Sequence, residues 1–127
     1  MLSLPSALHI FLAVKPADMR KGFDGLAQLV REPIAQDPLS GHLFVFRNRR
    51  RDRVKILYWD RDGLAIWYKR LERGVFRMPP LAGDAQSVEI DARDWALILQ
   101  GIDPQSARRL PRYRLPDRQQ TPPAATG

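Results

Sequence analysis

Arg53-Val54-Lys55-Ile56-Leu57-Tyr58-Trp59, Asp60-Arg61-Asp62-Gly63 and Leu64-Ala65-Ile66-Trp67-Tyr68-Lys69-Arg70-Leu71 form the stretch whose reading decides the fold. Two runs rich in β-branched and aromatic residues flank a cluster of turn formers, which is the pattern of a β-hairpin. Leu64 is already apolar, so the reading takes Arg61-Asp62-Gly63 as a three-residue loop, with Gly63 free to adopt positive φ. In that register Trp59 faces Ala65, Leu57 faces Trp67 and Lys55 faces Lys69. One face then carries Val54, Ile56, Tyr58, Ile66 and Tyr68, with Arg70 at its end. The other carries Arg53, Lys55, Leu57, Trp59, Ala65, Trp67 and Lys69. The first face reads as core. The second, three cations among two tryptophans, reads in two ways. It is a nucleic-acid surface, with cations for phosphates and rings for bases. Or it covers a second core under a helix, with Lys55 and Lys69 reaching past it to solvent. A two-residue loop would shift the register and mix the faces.

Working outward, Leu43 to Asn48 reads as a strand joined to Arg53–Asp60 by the loop Arg49-Arg50-Arg51-Asp52. The three strands make an antiparallel meander. Toward the N-terminus, Leu8 to Val14 is a further strand, ended by Lys15-Pro16. Asp18 is the expected N-cap of a helix whose stripe is Met19, Phe23, Leu26 and Val30, and Pro33 stops it near Glu32. Gly22 and Gly25 inside it imply a close neighbour. Toward the C-terminus, Gly74 turns into a short apolar piece, Val75 to Met78, then Pro79-Pro80. Val88 to Ile90 is one more short strand. Asp91 caps a helix carrying Trp95, Leu97, Ile98 and Leu99, with Gly101 as its C-terminal cap. The expectation is a single α+β domain over residues 1–103, an antiparallel β-meander flanked by two helices. A flexible Pro/Arg-rich basic tail over 104–127 follows.

Composition narrows the function classes. The chain has 127 residues, no cysteine and a formal net charge of +7. The missing Cys excludes a disulfide scaffold, a zinc ribbon and a thiol nucleophile. The stretch Leu8 to Val14 is too short to span a bilayer and lacks a preceding basic segment, so a soluble cytoplasmic protein with no membrane partner is expected. The charge is unevenly sorted. Residues 1–42 are neutral, and 43–79 carry eleven basic and four acidic residues. Residues 80–103 carry one basic and five acidic, and 104–127 carry five basic and one acidic. Such asymmetry is a partner signal.

Five of the seven residues Arg47-Asn48-Arg49-Arg50-Arg51-Asp52-Arg53 are arginine, whose planar fork suits phosphate. The competing reading docks this loop on the acidic segment 80–103. A third candidate is Arg20-Lys21 in the first turn of the first helix, where opening amides plus two cations could hold a phosphate, or merely form a solvated face. The candidate nucleic-acid-binding set is therefore Arg20, Lys21, Arg47, Arg49, Arg50, Arg51, Arg53, Lys55, Trp59, Trp67 and Lys69. There is no Walker loop, HExxH or GxSxG motif, and His9 and His42 lack metal-ligand spacing. Asp60 and Asp62 are accounted for by their turn. No catalytic residue, metal or cofactor is expected.

The blocks Pro16-Ala17-Asp18-Met19-Arg20-Lys21-Gly22-Phe23-Asp24-Gly25-Leu26, Gly41-His42-Leu43-Phe44-Val45-Phe46, Arg53 to Gly63, Tyr68-Lys69-Arg70-Leu71-Glu72-Arg73-Gly74 with Phe76, and Gly101-Ile102-Asp103 occur in that order. In these blocks the chain resembles the TnpB-type accessory protein, the second open reading frame, of the insertion sequence 66 transposon family. The resemblance covers residues 1 to about 103; Met78 departs from it, standing where an aromatic is expected before the proline. It implies a protein encoded beside a separate transposase and assisting transposition, with strand-transfer chemistry left to the transposase. DNA is the expected partner and RNA a further candidate. The alternative is a protein-interaction module whose tryptophan face binds the transposase or another accessory subunit.

Overall fold

The computed structural model describes residues 8–81 and 83–100. Along them run β1 (Ile10–Ala13), α1 (Phe23–Arg31), β2 (Leu43–Arg47), β3 (Arg53–Asp60), β4 (Gly63–Arg70), β5 (Ser87–Ile90) and α2 (Ala92–Leu99). The expected Gly101 cap, the Gly101–Asp103 block and the tail lie outside the described residues.

The strands form one sheet in the order β4-β3-β2-β1-β5. The β2-β3-β4 meander is present. The sheet as a whole is mixed, which corrects the purely antiparallel expectation. β1 runs parallel to β2, pairing Ile10 with Leu43 and Leu12 with Val45, and β5 closes the far edge antiparallel to β1. Parallel neighbours need a crossover, and α1 supplies it between β1 and β2.

Alternation along the strands builds a core on each face. Phe44, Phe46, Leu57 and Ala13 pack against Leu26, Ala27 and Val30 of α1. Ile10, Leu12, Val45, Val54 and Ile56 pack against Trp95 and Ile98 of α2, together with Phe76. Burying each Val, Leu, Ile or Phe side chain contributes about 1.5–3 kcal/mol, so the two layers hold the sheet from both sides. No helix among the described residues is long and apolar enough to cross a membrane.

The hairpin register differs from expectation by one residue. Asp60 pairs with Gly63, Trp59 with Leu64, Leu57 with Ile66 and Lys55 with Tyr68, so the loop is the two residues Arg61-Asp62. Arg61, at φ 60°, takes the left-handed conformation expected of Gly63. A one-residue slip inverts one strand relative to its partner. Trp59 therefore lies on the α1 face, beside Leu64, while Trp67 lies on the α2 face with Val54, Ile56 and Lys69. The single surface carrying both tryptophans does not exist. The second core under a helix does, but Leu57 and Ile66 build its hairpin part rather than the tryptophans.

Helix α1 begins at Phe23, later than expected. Asp18 accepts from the amide and guanidinium of Arg20, and Lys21 N donates to Asp18 O, so Asp18 closes its own turn instead of capping a helix. Gly22 is the N-cap, without a side-chain cap. Of the two glycines expected to mark a close neighbour, Gly25 has one, since a Cβ there would come within 3.1 Å of the Lys21 side chain, whereas Gly22 has none within 4 Å. Asp91 caps α2 as expected, its carboxylate accepting from Asp94 N at 2.7 Å. The short apolar piece Val75 to Met78 is irregular, with Phe76 fully buried and Met78 partly buried beside it.

Candidate nucleic-acid interface

The β2-β3 loop is a built structure. Asn48 Oδ1 accepts from the amides of Asp52 and Arg53, and Asn48 Nδ2 donates to Asp52 Oδ1 at 2.6 Å. Arg51 N donates to Asn48 O, and Arg51 then adopts φ 63° to turn the chain back into β3. The Asn48 amide and the neighbouring Arg50 and Arg53 charges hold the Asp52 carboxyl below its ordinary range. The loop thus presents Arg49, Arg50 and Arg51 to solvent on a hydrogen-bonded frame.

The other candidate cations divide by what they touch. Arg47 turns inward: its guanidinium donates to Val14 O at 2.7 Å, and its Nε is buried without a partner. Burial, then the charges of Arg51 and Arg49, lower its pKa from the ordinary arginine value. Lys55 is 8% exposed, donates from Nζ to Lys21 O at 2.8 Å and sits 4.7 Å from the Tyr68 ring centroid. Both are joined to the main chain of this protein. Arg53 is half-buried and donates to Tyr68 Oη. Arg20 is clamped on Asp18, and with Lys21 it precedes the helix rather than opening it. Trp59 is half-buried, Trp67 is 39% exposed and Lys69 is exposed.

A second cationic segment lies beside the arginine loop. Leu71 N donates to Asp52 O, and Phe76 N donates to Arg51 O, each at 2.8 Å. These bonds bring Arg70, Arg73 and Arg77 to the same end of the sheet as Arg49–Arg51. Reading the sequence for sites missed these three, although they contribute to the basic count of residues 43–79. Their signal was charge density; nothing local says that chain past β4 folds back on the β2-β3 loop. At this end Glu72 is paired with Arg70 and Asp52 with Asn48. The opposite end of the sheet carries Asp60 and Asp62 in the β3-β4 turn and Asp91 after β5.

Among the described residues, the acids of the 80–103 stretch do not sit under the arginine loop. β5 is the far edge strand, separated from β3 by β2 and β1, with Glu89 on His9 and Asp91 on α2. The arginine loop and the segment after β4 thus gather cations at one end of the sheet, while Asp60, Asp62 and Asp91 lie at the other with Arg61 among them. Such a field steers a polyanion toward one end of the molecule. Among the described residues no cluster of three or more His, Asp or Glu has metal-binding geometry.

Comparison with known proteins agrees with the sequence blocks. The chain is 35% identical over 111 residues to uncharacterized protein y4jC of Sinorhizobium fredii (strain NBRC 101917 / NGR234), covering 87% of this chain and 93% of that one. It is 38% identical over 102 residues to uncharacterized protein y4hO of the same strain, covering 79% and 87%. No solved structure matches. The model of the family described as IS66 Orf2 like protein matches residues 8–109, a span that takes in both cores and the whole basic end. On that match the chain belongs to the IS66 Orf2-like family, accessory proteins associated with insertion-sequence transposition.

Proposed function

We propose that this chain is a non-catalytic accessory factor of transposition that binds DNA through the arginine loop of its basic end. The observation that carries the reading is the framed loop: Arg49, Arg50 and Arg51 are exposed, make no ion pair among the described residues and stand on a hairpin tip held by Asn48. Three uncompensated guanidiniums on a fixed tip suit contact with successive phosphates or entry into a groove. Arg53 at the loop base adds to the field. Arg47 and Lys55 support the loop from within rather than reaching for a ligand.

A gel-shift titration with element-end DNA, unrelated duplex DNA and RNA at several salt concentrations tests this. Binding of DNA that weakens steeply with salt is expected. Joint replacement of Arg49, Arg50 and Arg51 by alanine should weaken it while leaving the circular dichroism spectrum unchanged. DNA affinity indifferent to salt, or absent near physiological salt, overturns the reading.

A further inference from the structure

The basic end holds a concavity that the arginine loop does not form. A cleft of about 650 Å³ opens between the end of β4, the segment after it and the last turn of α2, lined by Lys69, Arg73, Val75, Arg77, Leu99 and Gln100 among others. Its three cations make no ion pair among the described residues, and the nearby acid, Glu72, is bound to Arg70. The cleft thus gathers three cations on one side, faces the C-terminal turn of α2 on the other, and is about half apolar in its walls. Its volume is in the range, about 300–1,000 Å³, that encloses small organic groups. A base-paired duplex is a stiff rod much thicker than a single strand, so it can lie across the rim but cannot enter a cleft of this size.

Trp67 points to the strand form that fits. It is 39% exposed and projects from the same face of the edge strand β4 as Lys69, two residues from the cleft. Val75, 40% exposed, stands on the cleft wall. An indole beside a row of cations matches the spacing logic of single-strand sites, in which phosphates follow a positive groove and a base stacks on an aromatic ring. A base inside a duplex is already stacked on its neighbours and offers no such face.

We propose that this cleft is a subsite for a single-stranded nucleotide chain, with Lys69, Arg73 and Arg77 binding its phosphates and Trp67 stacking a base. The proposal rests on the DNA-binding reading and gives the basic end two tasks. The arginine loop holds duplex, and the cleft holds an unpaired strand leaving it.

The test uses the full chain, labelled oligothymidine, its ribonucleotide counterpart, a matching duplex and polyglutamate, by fluorescence anisotropy and tryptophan emission. Joint replacement Lys69→Ala, Arg73→Ala and Arg77→Ala should cost roughly tenfold in affinity for the single strand and far less for duplex. Single strand should quench the tryptophan emission in the native chain and in Trp59→Phe, but not in Trp67→Phe. Arg49→Ala, Arg50→Ala and Arg51→Ala together should do the reverse, weakening duplex binding while the quenching persists. Quenching by the deoxy and ribo strands alike supports a site for nucleotide chains in general; by one alone, a site for that strand. Equal losses for single strand and duplex in the cleft variant, quenching that survives Trp67→Phe, or equally tight binding of polyglutamate overturns the cleft proposal. Duplex binding that depends on the loop then still stands. Absence of binding to either form of DNA sinks both.

Discussion

The amide of Phe76 donates a 2.8 Å hydrogen bond to the carbonyl of Arg51. One partner is the last arginine of the exposed loop, and the other is a fully buried core residue twenty-five positions later. The bond therefore ties the basic end to the core beneath α2, and it brings Arg73 and Arg77 beside Arg49–Arg51. Four consequences can be measured.

Arg51 stands at φ 63°, where a side chain is strained and glycine is not. Arg51→Gly should leave stability within about 1 kcal/mol of the native protein. It should also lower the slope of log affinity against log salt by about 1, as one phosphate contact is removed. Arg51→Val, β-branched at positive φ, should unfold earlier in urea. Salt-titrated anisotropy and urea melts read both effects.

Phe76 anchors the second cationic segment. Phe76→Ala should destabilise the fold by about 3–5 kcal/mol, seen as a lower urea midpoint. In native-state hydrogen exchange the amides of residues 71–77 should lose protection first, because their contact with the loop depends on this anchor.

Lys55 is a cation whose role is internal. Lys55→Met keeps the stem but removes the bond to Lys21 O and the contact with Tyr68. It should cost about 1–3 kcal/mol in urea unfolding. DNA affinity and its salt slope should stay as in the native protein, since the ammonium is turned away from the ligand. A reduced slope would place Lys55 at the interface instead.

Asp52 sets the acid limit of the loop. Its carboxyl is held below the ordinary value of 3.8, first by the Asn48 amide and then by the Arg50 and Arg53 charges. A lowered carboxyl stabilises the folded loop fully above the ordinary value, and that contribution is lost as pH falls through the lowered one. The amide shifts of Asp52 and Arg53 in NMR spectra should hold steady from neutral pH down to the ordinary carboxyl range and move only below it. Asn48→Ala should raise the midpoint toward 3.8. An inflection above the ordinary range in the native protein would contradict this account.

Much of the architecture was legible locally. The arginine loop ends at Asp52 as predicted and begins one residue early, at Asn48, the helix before Pro33 ends where proline geometry requires, and Asp91 caps α2. These features depend on residues a few positions apart. Asp18 misled because an Asp five positions before the first helical residue, Phe23, can serve its own turn equally well, and Arg20 decides that by binding its carboxylate. The hairpin loop misled because Gly63 is the natural holder of positive φ. Arg61 takes it instead, in a register that puts Leu57 and Ile66 together under α1.

The amino-acid sequence by itself determined the strands and helices, the arginine tip, the sorting of charge and the family blocks, because each is written in neighbouring residues. Tertiary structure alone decided the mixed strand order, the faces on which Trp59 and Trp67 lie, and the inward turn of Arg47 and Lys55. It alone brought Lys69, Arg73 and Arg77 around one cleft. The physical reason is that register and nonlocal pairing follow from how both helices close over the sheet. A one-residue difference there inverts a strand without changing any local pattern.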